Sequence, residues 1–188
     1  TLCYTISPVH TVEAFVNVAR EQVQMGIDSL CIKDMAGILS PIAAEKLVSA
    51  LVKAINVPIQ IHSHATSGMA SAAYLEAVRA GAGAIDCAIS SMAGFSSQPP
   101  VETMLSIFEE TPYVVKLDRI ALRRICKYFL DLAPERMPAH HPPNIIDPEI
   151  LIHHIPGGMI SNLRSQLEQQ GALDKLDQVL AELPRTRA

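Results

Sequence analysis

One lysine and two histidines occupy strand-like positions from which their side chains can meet. His62 and His64 are two residues apart in the apolar run PIQIHSH, so both imidazoles lie on one face of a strand. Two imidazoles at this spacing are suited to binding a divalent metal. The alternative is a pair of histidines that are hydrogen-bonded to the backbone at the end of the strand.

Lys33 lies in the preceding apolar run, SLCIKDM, on the opposite face of the predicted strand from Leu30 and Ile32. A lysine that points into a protein interior must be desolvated, ion-paired or chemically modified. A neutral amine can take up CO2 as a carbamate, which offers anionic oxygen to a metal. The alternative is an ion pair with Asp34 or Asp86. Together, Lys33 and the two histidines favour a metal site.

Four such apolar runs alternate with helical patterns in the first part of the chain. They begin near Leu2, Ser29, Pro58 and Ala84, 26 to 29 residues apart. This period is typical of βα units with a parallel sheet. The carboxyl ends of the strands form the rim on which βα-barrel enzymes build their active sites.

Strand alternation also predicts which side chains face the helices and which face the interior of a barrel. The residues predicted to face the helices are Leu30, Ile32, Ile59, Ile61, Ile85, Cys87 and Ile89. Those predicted to face the interior are Ser29, Cys31, Lys33, Gln60, His62, His64, Asp86 and Ala88.

Four βα units cannot close a barrel, which needs eight strands. A doubly wound sheet would need a glycine-rich phosphate loop, and the sequence has no such motif. We therefore predict an α/β fold in which residues 1–110 are the last four βα units of a TIM (β/α)8 barrel. Residues 111–188 are predicted to be a helical post-barrel region that completes the active-site funnel. Its first helix should run from about Asp118 to Leu132, with Ile125, Tyr128, Phe129 and Leu132 facing inward.

The composition narrows the class of protein. Hydrophobic residues make up 49% of the 188 residues and charged residues 18%, which indicates a globular protein with a large core. No apolar run approaches the roughly 18 residues that a membrane span needs, so we expect no membrane insertion. A net charge of −4 without basic clusters argues against nucleic acid as a partner. Four widely spaced cysteines indicate reduced thiols in a cytoplasmic protein.

Several motifs resemble the carboxyltransferase domain of biotin-dependent enzymes, which include the alpha subunit of oxaloacetate decarboxylase and the B-type subunit of pyruvate carboxylase. The resemblance covers nearly the whole chain. The motifs are CIKDMAG (31–37), IHSHATSGMAS (61–71), SQPP (97–100) and IPGGMISNL (155–163).

The resemblance implies specific roles. Lys33 matches a carbamylated lysine that binds a divalent metal (zinc, manganese or cobalt), and His62 and His64 match its histidine ligands. Ser161 matches a catalytic hydroxyl that contacts biotin and moves a proton between biotin and pyruvate enolate. The family's fourth ligand is an aspartate on the first barrel strand, which has no counterpart here. The resemblance also implies a biotin carrier domain outside this chain and a homodimer.

The implied activity is carboxyl transfer between oxaloacetate or pyruvate and biotin, as in the alpha subunit of oxaloacetate decarboxylase. Met159 and Ile160 depart from the polar pair of pyruvate carboxylase itself. Two alternatives remain. One is a metal-dependent barrel that cleaves or forms C–C bonds in keto acids or acyl-CoA substrates. The other is a fragment that is inactive in isolation, because one metal ligand and the keto-acid-binding arginine are missing.

Overall fold

The computed structural model describes residues 1–136, 146–148 and 150–187. Four parallel strands form one sheet in the order β1-β2-β3-β4. The strands are β1 (Leu2–Cys3), β2 (Leu30–Asp34), β3 (Ile59–Ser63) and β4 (Ala84–Ile85). The predicted α/β fold with a parallel sheet is confirmed.

Helices follow each strand and continue after the sheet. Those of the βα units are α1 (Val12–Gln24), α2 (Pro41–Ala54), α3 (Ala70–Arg79) and α4 (Val101–Phe108). Those after the sheet are α5 (Arg119–Arg136), α6 (Ile150–His153), α7 (Gly157–Gln169) and α8 (Leu176–Arg187). Single 3-10 turns lie at Ser90–Met92 and Leu173–Lys175. No helix within the described ranges is long and apolar enough to cross a membrane.

The sequence predicts one helix start at Thr11, as a capping residue, and another at Ser40-Pro41, as a cap followed by proline at the first helical position. Side-chain caps confirm both starts. The Thr11 hydroxyl accepts a hydrogen bond from the Ala14 amide, and the Ser40 hydroxyl accepts one from the Ala43 amide, each at 3.2 Å. Pro41 occupies the first helical position of α2, where its missing N–H is not needed.

The sequence pattern predicts a third helix from about Thr66 to Gly81, but α3 begins four residues later, at Ala70. The hydroxyls of Thr66 and Ser67 donate to the carbonyl oxygens of Phe95 and Gly37, so both residues are held in a loop. Gly68 then takes a left-handed φ of +84°, which a helix cannot contain.

The predicted strand faces are confirmed on the two central strands. Leu30, Ile32, Ile59 and Ile61 are at most 3% exposed and pack under the helices. Alternate residues of both strands are only partly buried. The register places Lys33 of β2 opposite His62 of β3, so these two predicted site residues share the other face of the sheet.

The helix predicted from about Asp118 to Leu132 is present as α5, but the prediction that its apolar side faces inward is wrong. None of its residues is buried, and Ile125 and Tyr128, which were expected to face inward, are 45% and 62% exposed. Helix α5 packs against the Ser90–Met92 turn, and the Cys126 sulfur of the helix lies 3.1 Å from the Ser90 hydroxyl oxygen. A helical period in the sequence identifies an apolar stripe but not whether another element covers it.

Candidate metal centre

The two histidines of the H-x-H motif lie side by side at the carboxyl end of β3. Their Nε2 atoms are 3.4 Å apart, and the rings are inclined at 63° to each other. Both side chains are partly buried. The structure therefore brings the two predicted metal ligands together.

The second nitrogen of each imidazole has a hydrogen-bond acceptor. His62 Nδ1 is 2.7 Å from Asp86 Oδ2, and His64 Nδ1 is 2.5 Å from the Ser96 carbonyl oxygen. A carbonyl or carboxylate oxygen can only accept, so both Nδ1 atoms donate a proton. In the neutral imidazoles, both Nε2 atoms therefore present lone pairs to the same point.

This geometry fits two ligands on one ion. Two nitrogens bound tetrahedrally to zinc at about 2.05 Å lie about 3.3 Å from each other. The Gln98 side-chain amide donates to His62 Nε2 at 3.2 Å, which also requires that nitrogen to be unprotonated. The sequence also allowed two histidines that are hydrogen-bonded to the backbone. Only His64 makes such a bond, through Nδ1, and its Nε2 atom stays available as a ligand.

Burial favours the neutral form of His64, one of the two predicted ligands. Desolvation lowers the pKa of His64, and the positive charge that His62 can carry lowers it further. The hydrogen bond to the Ser96 carbonyl acts in the opposite direction but is a smaller effect than desolvation. A lowered pKa keeps the His64 imidazole deprotonated at Nε2 near neutral pH, as metal binding requires.

Lys33 faces this pair from β2, and neither ion pair that the sequence allows is formed within the described residues. Asp34 lies on the opposite face, fully buried, and accepts hydrogen bonds from three backbone amides and the Ser63 hydroxyl. Asp86 is bound by His62 and Gln60. The described ranges hold no group of three or more His, Cys, Asp or Glu side chains placed to bind a metal. The candidate centre in this chain is thus the two histidines with Lys33 as their neighbour.

The sequence indicated Asp86 only as an alternative ion-pair partner of Lys33 and gave no role to Gln60 or Ser96. Asp86 and Gln60 were placed on the interior face, which the structure confirms through their contacts. Their predicted positions next to His62, on the same strand and on the neighbouring one, could have identified them as its partners. No sequence signal identifies Ser96, because it binds His64 through its backbone carbonyl.

Ser161 lies in helix α7, and its side chain is outside the described part of the structure. The sequence favours Gly157 and Gly158 as a turn that presents Ser161, with a plain helix entry as the alternative. In the structure the two glycines are the helix entry and form the first turn of α7. The proposed proton-transfer role of Ser161 stays a prediction.

Two family models match the chain. Residues 6–128 match the HMGL-like model, and residues 150–188 match the Conserved carboxylase domain model. The paired histidines lie in the first match and Ser161 in the second. The chain belongs to the HMGL-like family, whose model matches more than half of its length. The predicted resemblance to the carboxyltransferase domain of biotin-dependent enzymes is confirmed by the second match and by individual relatives.

Individual relatives agree with this assignment. The chain is 46% identical over 187 residues to the B-type subunit of pyruvate carboxylase from Methanocaldococcus jannaschii, covering 99% of this chain and 33% of that protein. It is 40% identical over 189 residues to the methylmalonyl-CoA carboxyltransferase 5S subunit of Propionibacterium freudenreichii subsp. shermanii, covering 100% of this chain and 37% of that protein. These relatives are enzymes, and the chain spans about a third of the length of each.

Solved structures show the same fold. The carboxyl transferase domain from Rhizobium etli pyruvate carboxylase with pyruvate and biocytin matches with a TM-score of 0.89 at 31% identity. The match covers 97% of this chain and 32% of that one. The same domain with 3-bromopyruvate matches with a TM-score of 0.92, at 31% identity and the same coverage of both chains.

Proposed function

We propose that this chain is the metal-binding part of a biotin-dependent carboxyltransferase that moves a carboxyl group between oxaloacetate or pyruvate and biotin. The observation that carries the proposal is the convergence of His62 Nε2 and His64 Nε2 at 3.4 Å, in a chain of this family. A related domain is described with both pyruvate and biocytin. We extend the proposal to an activity like that of the alpha subunit of oxaloacetate decarboxylase.

The sheet supports a half-barrel. The strands follow chain order, and β1 and β4 each pair on one side only among the described residues. A parallel sheet with two open edges leaves backbone groups that further strands can pair. We propose that residues 1–110 are the last four βα units of a TIM barrel. Residues 111–188 then form the helical region of the active-site funnel.

The proposed centre uses three side chains of this chain. His62 and His64 would bind a divalent zinc, manganese or cobalt ion, since imidazole suits zinc and a carbamate would add the oxygen ligand that manganese prefers. The neutral Lys33 amine would add CO2, forming an N–C bond and releasing one proton, and the resulting carbamate oxygen would be the third ligand. When bound, the metal would stabilise negative charge on the keto-acid oxygen as a Lewis acid.

Ser161 is proposed to hold and pass one proton at its Oγ atom. Biotin on a carrier domain outside this chain supplies the nitrogen that accepts or releases the carboxyl group. A hydroxyl can accept one proton and donate another, so the Ser161 side chain can connect that nitrogen with the keto acid. A homodimer is a further prediction from the family resemblance.

The test combines mass spectrometry and metal analysis of the full-length protein purified with bicarbonate. We expect the mass of one CO2 on the peptide that contains Lys33 and about one metal per chain. The variant Lys33→Ala should lose carboxyl transfer, whereas Lys53→Ala, at an exposed position in the last turn of α2, should keep it. Transfer that is unchanged in Lys33→Ala would contradict the proposal.

The HMGL-like match over residues 6–128 favours one alternative, a metal-dependent barrel that cleaves or forms C–C bonds in keto acids or acyl-CoA substrates. Such an enzyme would also use His62 and His64. It would not need a carbamate at Lys33, so the same mass measurement separates the two functions. The prediction that the chain alone is inactive is tested by assaying residues 1–188 beside the full-length protein.

A further inference from the structure

We propose that Asp86 is a positioning residue that fixes the tautomer and orientation of His62 and so determines how tightly the centre binds metal. The inference rests on the proposed function only in requiring that His62 is a metal ligand. It concerns a carboxylate that is not itself among the proposed ligands.

The Asp86 carboxylate is held at both oxygens. Oδ2 accepts from His62 Nδ1 at 2.7 Å, and Oδ1 accepts from Gln60 Nε2 at 2.6 Å. Gln60 and His62 are two apart on β3 and point to the same side, so one carboxylate can bridge them. Charge-assisted hydrogen bonds of this length are roughly twice as strong as neutral ones. The bridge therefore restrains the imidazole ring as well as its proton.

The backbone of Asp86 is fixed independently of its side chain. Strand β4 ends at Ile85, but the Asp86 amide still donates to the Ile61 carbonyl at 3.0 Å. The fully buried Tyr74 hydroxyl lies 2.7 Å from the Asp86 carbonyl oxygen and accepts from the Ser63 amide at 2.8 Å. Tyr74 thereby joins the end of β3 to the residue after β4. The carboxylate is consequently presented to His62 from a rigid position.

The two histidines are not equivalent, and the difference indicates what Asp86 does. His64 donates to a neutral carbonyl, whereas His62 donates to a carboxylate. A carboxylate partner raises the basicity of an imidazole ligand, and loss of such a partner typically lowers metal affinity roughly 10- to 100-fold. His62 should therefore be the stronger donor of the pair, and its strength should depend on Asp86.

The deciding variant is Asp86→Asn in the full-length protein. An asparagine removes the negative charge, so its amide oxygen accepts from His62 Nδ1 only through a weaker, neutral hydrogen bond. Its amide nitrogen can only donate and so cannot accept from Gln60 Nε2. The control is Asp131→Asn, which removes the same charge from an exposed ion pair with Lys127 on α5. The measurements are the zinc Kd by chelator competition, the visible spectrum of the cobalt-loaded protein and the unfolding midpoint of the metal-free protein.

We expect Asp86→Asn to raise the zinc Kd at least about 10-fold and to shift the cobalt bands, while Asp131→Asn matches the wild type in both. A zinc Kd equal to that of the wild type overturns the inference, and a lower unfolding midpoint with unchanged Kd shows a structural role only. If Asp86→Asn does not fold, Gln60→Met decides: a Kd raised severalfold supports the inference, and an unchanged Kd overturns it. If the wild-type protein binds no zinc or cobalt, the proposed metal centre fails together with the inference.

Discussion

The backbone of Gly37 packs directly against the backbone of His64. A Cβ atom added to Gly37 would lie 2.5 Å from the His64 carbonyl oxygen, and Gly37 has a φ of +73°. Its amide donates to Asp34 Oδ1 at 2.9 Å, and its carbonyl accepts from the Ser67 hydroxyl. The loop after β2 and the loop that carries His64 are therefore held together at a residue that has no space for a side chain.

Substituting Gly37 with alanine should destabilise the fold and displace His64. The matched control is Gly26→Ala, because Gly26 has a φ of +90° but no atom within 4 Å of an added Cβ. The left-handed conformation alone costs about 1–2 kcal/mol, which is the loss expected for Gly26→Ala. Gly37→Ala should lose clearly more in denaturant unfolding and should also weaken zinc binding. Equal losses in the two variants would show that contact with His64 has no energetic importance.

Asp34 should be a major stabilising residue, although it binds no metal in our proposal. Its buried carboxylate accepts from the amides of Gly37, Ile38 and Leu39 and from the Ser63 hydroxyl. Removing it leaves these buried donors without a partner, at about 1–3 kcal/mol for each unsatisfied group.

We expect Asp34→Ala to lower the free energy of unfolding by several times the effect of Ser63→Ala. Ser63→Ala is the control, because it loses one hydrogen bond, which contributes about 1 kcal/mol. Urea unfolding measures both variants. A loss in Asp34→Ala no larger than in Ser63→Ala would contradict the assigned role.

The elements that form the sheet could be predicted from the sequence because their signals are local. Thr11, Ser40 and Pro41 mark helix starts through contacts within four residues. The strand faces follow from alternation, which needs no knowledge of the partner strand. The pairing of His62 with His64 could be predicted for the same reason.

The contacts that orient the histidines could not be predicted, because they join distant parts of the chain. Ser96 and Gln98 reach His64 and His62 from a loop more than thirty residues further along. That loop includes Phe95 with a left-handed φ of 51°, which the residue type does not predict. The exposure of α5 likewise depends on packing rather than on its own amphipathic pattern.

Alkaline pH should destabilise the fold through Cys87. Burial raises the pKa of this thiol to about 11, from an ordinary value of 9.0, and burial also raises the pKa of Tyr74. Between pH 9 and 11 the unfolded chain has released protons that the folded chain still holds, so stability falls as the pH rises through this window.

The free energy of unfolding at about pH 8 and about pH 10.5 tests this dependence. Cys87→Ala should show a smaller decrease between the two pH values than the wild type, since one of the buried groups is gone. The exposed thiol in Cys3→Ala is the control and should leave the decrease unchanged. Identical pH dependence in Cys87→Ala and the wild type would show that this thiol does not contribute.

Acid should act on the fold through His64. Its pKa is lowered by burial, so the unfolded chain takes up a proton at a higher pH than the folded chain does. Stability of the metal-free protein should therefore fall as the pH drops below about 6.5, the ordinary histidine value. Protons also compete with metal for Nε2, so zinc affinity should fall over the same range.

Melting the metal-free wild type and His64→Gln between about pH 7.5 and 5.5 measures the effect on stability without the effect on metal binding. The variant should lose less stability in acid than the wild type. The exposed His10, replaced by Gln, should leave the acid dependence of the wild type in place. If His64→Gln loses as much stability in acid as the wild type, then the proton taken up on unfolding goes to another group.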